Sequence, residues 1–152
     1  MYRVEHRTGR LVEIAIWSPV SIDEVDRWGA DHNAVIAGVG GPYICFVDLR
    51  GASVFPKEVV DAYVGVMKEE PGLLRTATLL PDKPMVAMQI RRMIREAGHP
   101  ERQPFEEADA LMHWLGPHLS PMEKARMTTL LRAAPGESSP RPVPMSSRPY
   151  ST

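Results

Sequence analysis

Polar and apolar positions alternate at the start of the chain, where Val4 and His6 stand between charged neighbours and Gly9 offers a turn. Leu11, Val12, Ile14, Ile16 and Trp17 follow with β-branched enrichment, so this stretch predicts a β-hairpin over about residues 2–7 and 11–17. The period then lengthens. Ser21 and Glu24 form a capping box, and Val20 and Val25 occupy the two positions of a hydrophobic staple around the same helix start. Val25, Trp28, Gly29, His32, Val35 and Ile36 then make one buried stripe, and Gly38 suits a left-handed cap that ends the helix near Ala37.

After Gly40-Gly41-Pro42, the run Tyr43 to Val47 is apolar without alternation and too short for a helix, which predicts a central strand covered on both faces. Asp48-Leu49-Arg50-Gly51 closes it. Pro56 suits the first turn of a helix carrying Val59, Tyr63, Val66 and Met67 on one face, stopped by Pro71-Gly72. Leu73 to Leu80 reads as a strand. Asp82 and Pro84 start a third helix with Val86, Ile90, Met93 and Ala97 inward and Arg91, Arg92 and Arg95 on or near the other side, ending at Gly98. A short extended piece at Gln103 to Phe105 leads to a fourth helix, with Ala108, Leu111, Met112 and Leu115 at i, i+3, i+4 and i+7 before Gly116-Pro117. Ser120-Pro121-Met122-Glu123 is a second capping box and predicts a fifth helix reaching about Ala134. No internal repeat is present. This order, β-β-α-β-α-β-α-β-α with one more helix, specifies an α/β sandwich whose right-handed crossovers make a mainly parallel mixed sheet, with the N-terminal strand antiparallel.

Composition narrows the class of function. The 152 residues suit one domain with a real core, and 18 Lys+Arg against 19 Asp+Glu argue against broad capture of nucleic acid or anionic lipid. The single Cys45 lies in an apolar run and reads as a small buried hydrophobe in a reducing compartment, so a cytoplasmic location is expected. MYRVEHRTGR carries no apolar signal core, and no stretch reaches the roughly 18 apolar residues of a membrane span. From Pro135 to Thr152 there are five Pro and five Ser in 18 residues, a composition that predicts a flexible tail.

Three segments, together with the element order, carry a resemblance to a known family. They are Ile16-Trp17-Ser18-Pro19-Val20-Ser21, then Cys45-Phe46-Val47-Asp48-Leu49-Arg50-Gly51, and the late Pro104-Phe105-Glu106-Glu107-Ala108-Asp109-Ala110-Leu111-Met112-His113-Trp114-Leu115. Over residues 1–115 the sequence resembles the SpoIIAA-like branch of the STAS superfamily, the domain of anti-sigma-factor antagonists and sulphate transporter tails, whose fold is related to lipid-carrying CRAL-TRIO domains. The resemblance implies a STAS-like domain over 1–115, an appended helix over 116–134 and the tail over 135–152. It also implies a non-catalytic protein-interaction module of bacterial regulation, with a small apolar-ligand or lipid carrier as the alternative. In phosphorylated antagonists the switch serine sits at the helix start after the central strand. Here that place reads Phe55-Pro56-Lys57-Glu58, so the acceptor is missing and Ser53 substitutes only in a different loop register.

The candidate chemistry is sparse. Asp48 follows a central strand, where ligands of open α/β sheets bind, and with Arg50, Ser53 and Lys57 it makes the foremost candidate binding loop. The alternative is that its carboxylate caps the turn and pairs with Arg50. Among His6, His32, His99, His113 and His118 no spacing makes a metal pair, and His32, four residues from both Trp28 and Ile36, reads as a core-edge histidine with one satisfied nitrogen. No Gly-x-Ser-x-Gly is present, and Gly38-Val39-Gly40-Gly41 precedes a strand instead of following one. Neither a catalytic triad nor a nucleotide cradle is therefore expected, and no cofactor is implied. Arg91, Arg92 and Arg95 read as a solvated helix face. Nine methionines suit either an ordinary core or an adaptable binding surface. On the fifth helix Met127, Leu130, Leu131 and Ala134 form an apolar stripe that must be covered, by a second copy in a homodimer or by the same chain.

Overall fold

The computed structural model describes residues 1–134; the Pro/Ser-rich stretch expected to form a tail lies outside the described residues. Five strands form one sheet in the order β1-β2-β3-β4-β5. β1 (Tyr2–Thr8) and β2 (Leu11–Ile16) are the expected antiparallel hairpin. β3 (Tyr43–Asp48), β4 (Leu73–Leu79) and β5 (Arg102–Phe105) then add in parallel. α1 (Ile22–Val39), α2 (Lys57–Met67) and α3 (Pro84–Ala97) are the crossovers between consecutive strands. Because each crossover steps in the same direction with the same hand, all three helices fall on one face. α4 (Ala108–Leu115), a 3-10 turn at Gly116–His118 and α5 (Pro121–Arg132) cover the other.

Strand periodicity sorts the two cores. Tyr43 and Cys45 of β3, with Val12, Ile14 and Ile16 of β2, pack under α1–α3 around Trp28, Tyr63 and Ile90. Ile44 and Phe46, with Leu11, Ala77 and Leu79, meet Leu111, Leu115, Met127 and Leu130 on the opposite side. A strand loaded on both faces needs apolar residues at every position, which is why β3 shows no alternation.

Some boundaries shift. The first helix runs to Val39 and its left-handed cap is Gly40, with φ of 78°, instead of Gly38. The extension packs Val39 against the α1–α3 core, and Gly40 takes the positive φ at no steric cost. On α3 the inward stripe is completed by Ile94, while Ala97 is only half-buried. Ser21 and Ser120 cap α1 and α5 as expected, and the capping box of α5 is complete with Glu123.

The stripe on α5 is covered by its own chain. Met127 and Leu130 have no exposed surface and so are not available to a second copy, and Leu131 packs half-buried against the same cluster. Of the two covers expected for this stripe, the same chain supplies the one over Met127 and Leu130, because the sheet face under α4 and α5 would otherwise lie bare. α5 is also tied by polar groups that periodicity does not reveal. Arg126 makes a bidentate pair with Glu13 of β2, both contacts at 2.8 Å, and Glu13 is fully buried. Glu123 accepts from the Arg10 amide at 2.6 Å and from the Ser120 amide at 2.8 Å. The helix thus belongs to the domain core instead of standing outside it.

Candidate functional site

The loop that follows β3 is built on a locked anchor. Asp48 is buried, and its Oδ1 accepts from the Arg50 amide and Nε at 3.0 Å while Oδ2 accepts from Nη2 at 2.8 Å. The same guanidinium donates to the carbonyls of Ala133 at 2.9 Å and Leu130 at 3.2 Å, so Arg50 also closes the C-terminal end of α5, where a cation complements the free carbonyls. Every acceptor direction of Asp48 used here serves the turn, and the two residues have a positioning role. Beyond them Ser53, Val54, Pro56 and Lys57 are exposed. Lys57 pairs along the helix with Asp61 at 2.8 Å, an exposed i,i+4 contact of small worth.

The loop leans on α3. Gln89 clamps Phe55 with two hydrogen bonds, its Oε1 accepting from the amide and its Nε2 donating to the carbonyl, both at 2.9 Å. Lys83 donates to the Ala52 carbonyl at 3.4 Å. These contacts hold the loop against the first turns of α3; Val54 of the loop is 59% exposed, and Met85 and Met88 of α3 are 69% and 58% exposed. The methionines thus divide as the sequence left open: Met93 and Met127 fill cores, and Met85, Met88 and Met122 face out. Arg91 and Arg92 pair with Glu106 and Glu96 at 2.9 and 3.4 Å, a solvated charged face.

A second group of polar residues lies inside the α1–α3 face. His32 of α1, Cys45 of β3 and Glu70 of the loop before β4 place one ligand-type atom each within 4.8 Å of one another. His32 is 1% exposed and stacks on Trp28 with ring centroids 4.8 Å apart. Contrary to the sequence expectation it is not at the core edge, and neither ring nitrogen meets a hydrogen-bond partner; its Nε2 stands 3.8 Å from Glu70 Oε2. Each such buried group costs about 1–3 kcal/mol. Glu70 itself is oriented from two sides. Tyr43 donates its hydroxyl to Oε2 at 3.1 Å, and Arg102 of β5 lies 3.3 Å from Oε1 while donating to the Met67 carbonyl.

Burial decides the charge states. It holds His32 below its usual range, against the pull of Glu70, so the imidazole is neutral. Burial first, and Glu70 second, push the Cys45 thiol far up, so no free thiolate exists there. Cys45, Glu70, Thr76, Thr78 and Arg102 line a cavity of about 60 Å³ whose wall is otherwise mostly apolar, including Ile14, Phe55 and Ile90. The spacing of positions 32, 45 and 70 follows no metal motif, which is why sequence reading passed over the group. The only local signal is Trp28-x-x-x-His32 on an apolar stripe.

The architecture is an α/β fold similar to that of a solved SpoIIAA structure. A search of solved structures finds the unphosphorylated form of the anti-sigma factor antagonist SpoIIAA, which matches with a TM-score of 0.54 at 19% identity over 76% of this chain and 97% of that one. No family model and no curated protein matches the sequence. Among the described residues no helix is long and apolar enough to cross a membrane.

Proposed function

We propose that this chain is a non-catalytic regulatory module of a bacterial cytoplasm that binds a partner protein through the β3–α2 loop and the first turn of α3, without phosphoserine control there. The observation that carries this reading is exposed Val54 on a loop held rigid by Asp48, Arg50 and Gln89, with exposed Met85 and Met88 on the first turns of α3 that the loop leans on. A rigid scaffold presenting an exposed loop is the usual form of a recognition surface, and flexible thioethers adapt to a partner. The likeness to an anti-sigma factor antagonist supports the same reading. Pro56 and Lys57 at the helix start supply no hydroxyl, and Ser53 lies three residues before Pro56.

A photo-crosslinking residue at position 54 or 88 tests the surface in cells. Capture of the same protein from both positions, and not from position 122 on the opposite face, is the expected result. Equal capture at 122, or none at 54 and 88, sinks the proposal. Incubation with host lysate and ATP should add no phosphate to residues 50–60, and stoichiometric phosphoserine at Ser53 would restore a switch.

The second reading, an apolar-ligand carrier, draws on the cavity under α1–α3. Its volume of about 60 Å³ holds a few waters or a small group. Pockets for drug-sized ligands run to about 300–1,000 Å³, so this reading is confined to a small ligand unless the helices move. Solvent extraction of purified protein followed by mass spectrometry separates the two, since a stoichiometric lipid would favour the carrier.

A further inference from the structure

We propose that His32, Cys45 and Glu70 form a binding site for a single zinc-type divalent cation, with its fourth coordination position opening toward the cavity under α1–α3. The three donors come from three separate elements and converge to within 4.8 Å. A nitrogen, a sulfur and a carboxylate oxygen are the donor types that tetrahedral Zn²⁺ accepts, and three protein ligands with one open position is the pattern of a site that keeps a water or a ligand.

Three further observations point to a cation there. The first is His32 itself. Its ring is 1% exposed, and neither nitrogen meets a hydrogen-bond partner, so a ring lone pair inside the core stands open to a cation. The second is that Glu70 is already positioned. Arg102 holds Oε1, and Tyr43 donates to Oε2, the oxygen that faces His32 Nε2 at 3.8 Å. Outer partners of this kind orient ligating carboxylates in metal sites. The third is room on one side, since Cys45 and Glu70 both line the cavity. Binding closes the remaining distances by small movements of side chains. Cys45 then gives up its S–H proton to solvent, and its thiolate and the Glu70 carboxylate, which Arg102 continues to face, offset most of the ion's charge.

The test uses the full chain, reduced, stripped with a chelator and dialysed. Zn²⁺ is titrated against a chromophoric competitor, and Co²⁺ is added separately as a spectroscopic probe. The expected result is one ion per chain, release of about one proton at neutral pH, and a thiolate-to-cobalt charge-transfer band with tetrahedral d–d intensity. Cys45→Ala and His32→Gln should each weaken Zn²⁺ binding at least about tenfold, and Cys45→Ala should abolish the charge-transfer band. Glu70→Gln should weaken binding while keeping the band. His113→Gln, at an exposed position, should bind as the unmodified chain does. Circular dichroism checks that each variant is folded. Where a core variant is not, the Co²⁺ spectrum of the unmodified chain decides alone. Failure of the native chain to take up one ion, a cobalt spectrum without the thiolate band, or unchanged affinity in folded Cys45→Ala overturns the proposal.

Discussion

The two faces of the sheet differ in how they satisfy their buried polar groups. Under α4 and α5, Glu13 is matched by Arg126, Asp48 by Arg50, and Glu123 by two backbone amides, so each buried carboxylate has partners in good geometry. Under α1–α3, Trp28 Nε1, both His32 nitrogens and Arg102 Nε lack hydrogen-bond partners around a cavity. The first arrangement fixes one helix on one place of the sheet. A bidentate guanidinium–carboxylate pair has directional demands that an apolar stripe does not, and it lets α5 settle in a single register. The second arrangement holds polar groups in reserve, and buried groups left so are the ones that call for a ligand or a special role.

If the α5 face is held as described, the largest effect comes from Arg126→Ala. It strips buried Glu13 of its bidentate partner and leaves only the field of Arg3, and urea unfolding should show a loss of about 3 kcal/mol. Replacing both residues by Leu should recover most of that loss, because the desolvated carboxylate goes too. A small effect of the single variant would mean that water reaches Glu13.

Gly9→Ala probes the same face at its turn. Gly9 has φ of 53°, and an added Cβ would stand 2.2 Å from Glu123 Oε2, whose carboxylate is held by Arg10 and Ser120. Strain in the left-handed region and displacement of that carboxylate together should cost about 2 kcal/mol. A near-neutral melt would show that Glu123 can step aside.

The opposite face is sharpened by pH. The folded pKa of His32 is lowered from its usual 6.5, first by burial, with Arg102 adding to the shift and Glu70 opposing it. Below 6.5 the unfolded chain therefore takes the proton first. His32's contribution is complete above that pH and is lost as pH falls toward the folded value, with a slope of up to about 1.4 kcal/mol per pH unit. The difference in unfolding free energy between the native chain and His32→Gln, measured with chelator present, should drift across that window and level out above it. A flat difference removes the buried neutral imidazole from the comparison.

The smallest effect belongs outside both cores. Arg92→Ala removes an exposed pair with Glu96 and should change stability by no more than about 0.5 kcal/mol. A larger loss would show that the charged side of α3 does more than face solvent.

Local order was readable from the chain because it is decided within a few residues. The caps at Ser21 and Ser120, the breakers before β3 and after α2, and the change of period from two to near four are all short-range facts of backbone and side-chain geometry. They sufficed for the element order and the mainly parallel mixed sheet, and the resemblance of three segments added the SpoIIAA-like architecture. The place of Asp48 at the end of a central strand was readable too, although its carboxylate serves Arg50 and the turn.

What lay beyond that reading is pairing between elements. Glu13 and Arg126 are 113 residues apart, and Arg50 reaches Ala133 across 83. His32, Cys45 and Glu70 belong to a helix, a strand and a loop with no common spacing. Periodicity states which side of an element is buried, and the chain alone determined that much for nearly every helix and strand. Which buried sides share a core depends on the hand of successive crossovers and on where α5 returns, so only the tertiary structure decided that an apolar stripe would close the chain's own sheet and that three distant donors would meet.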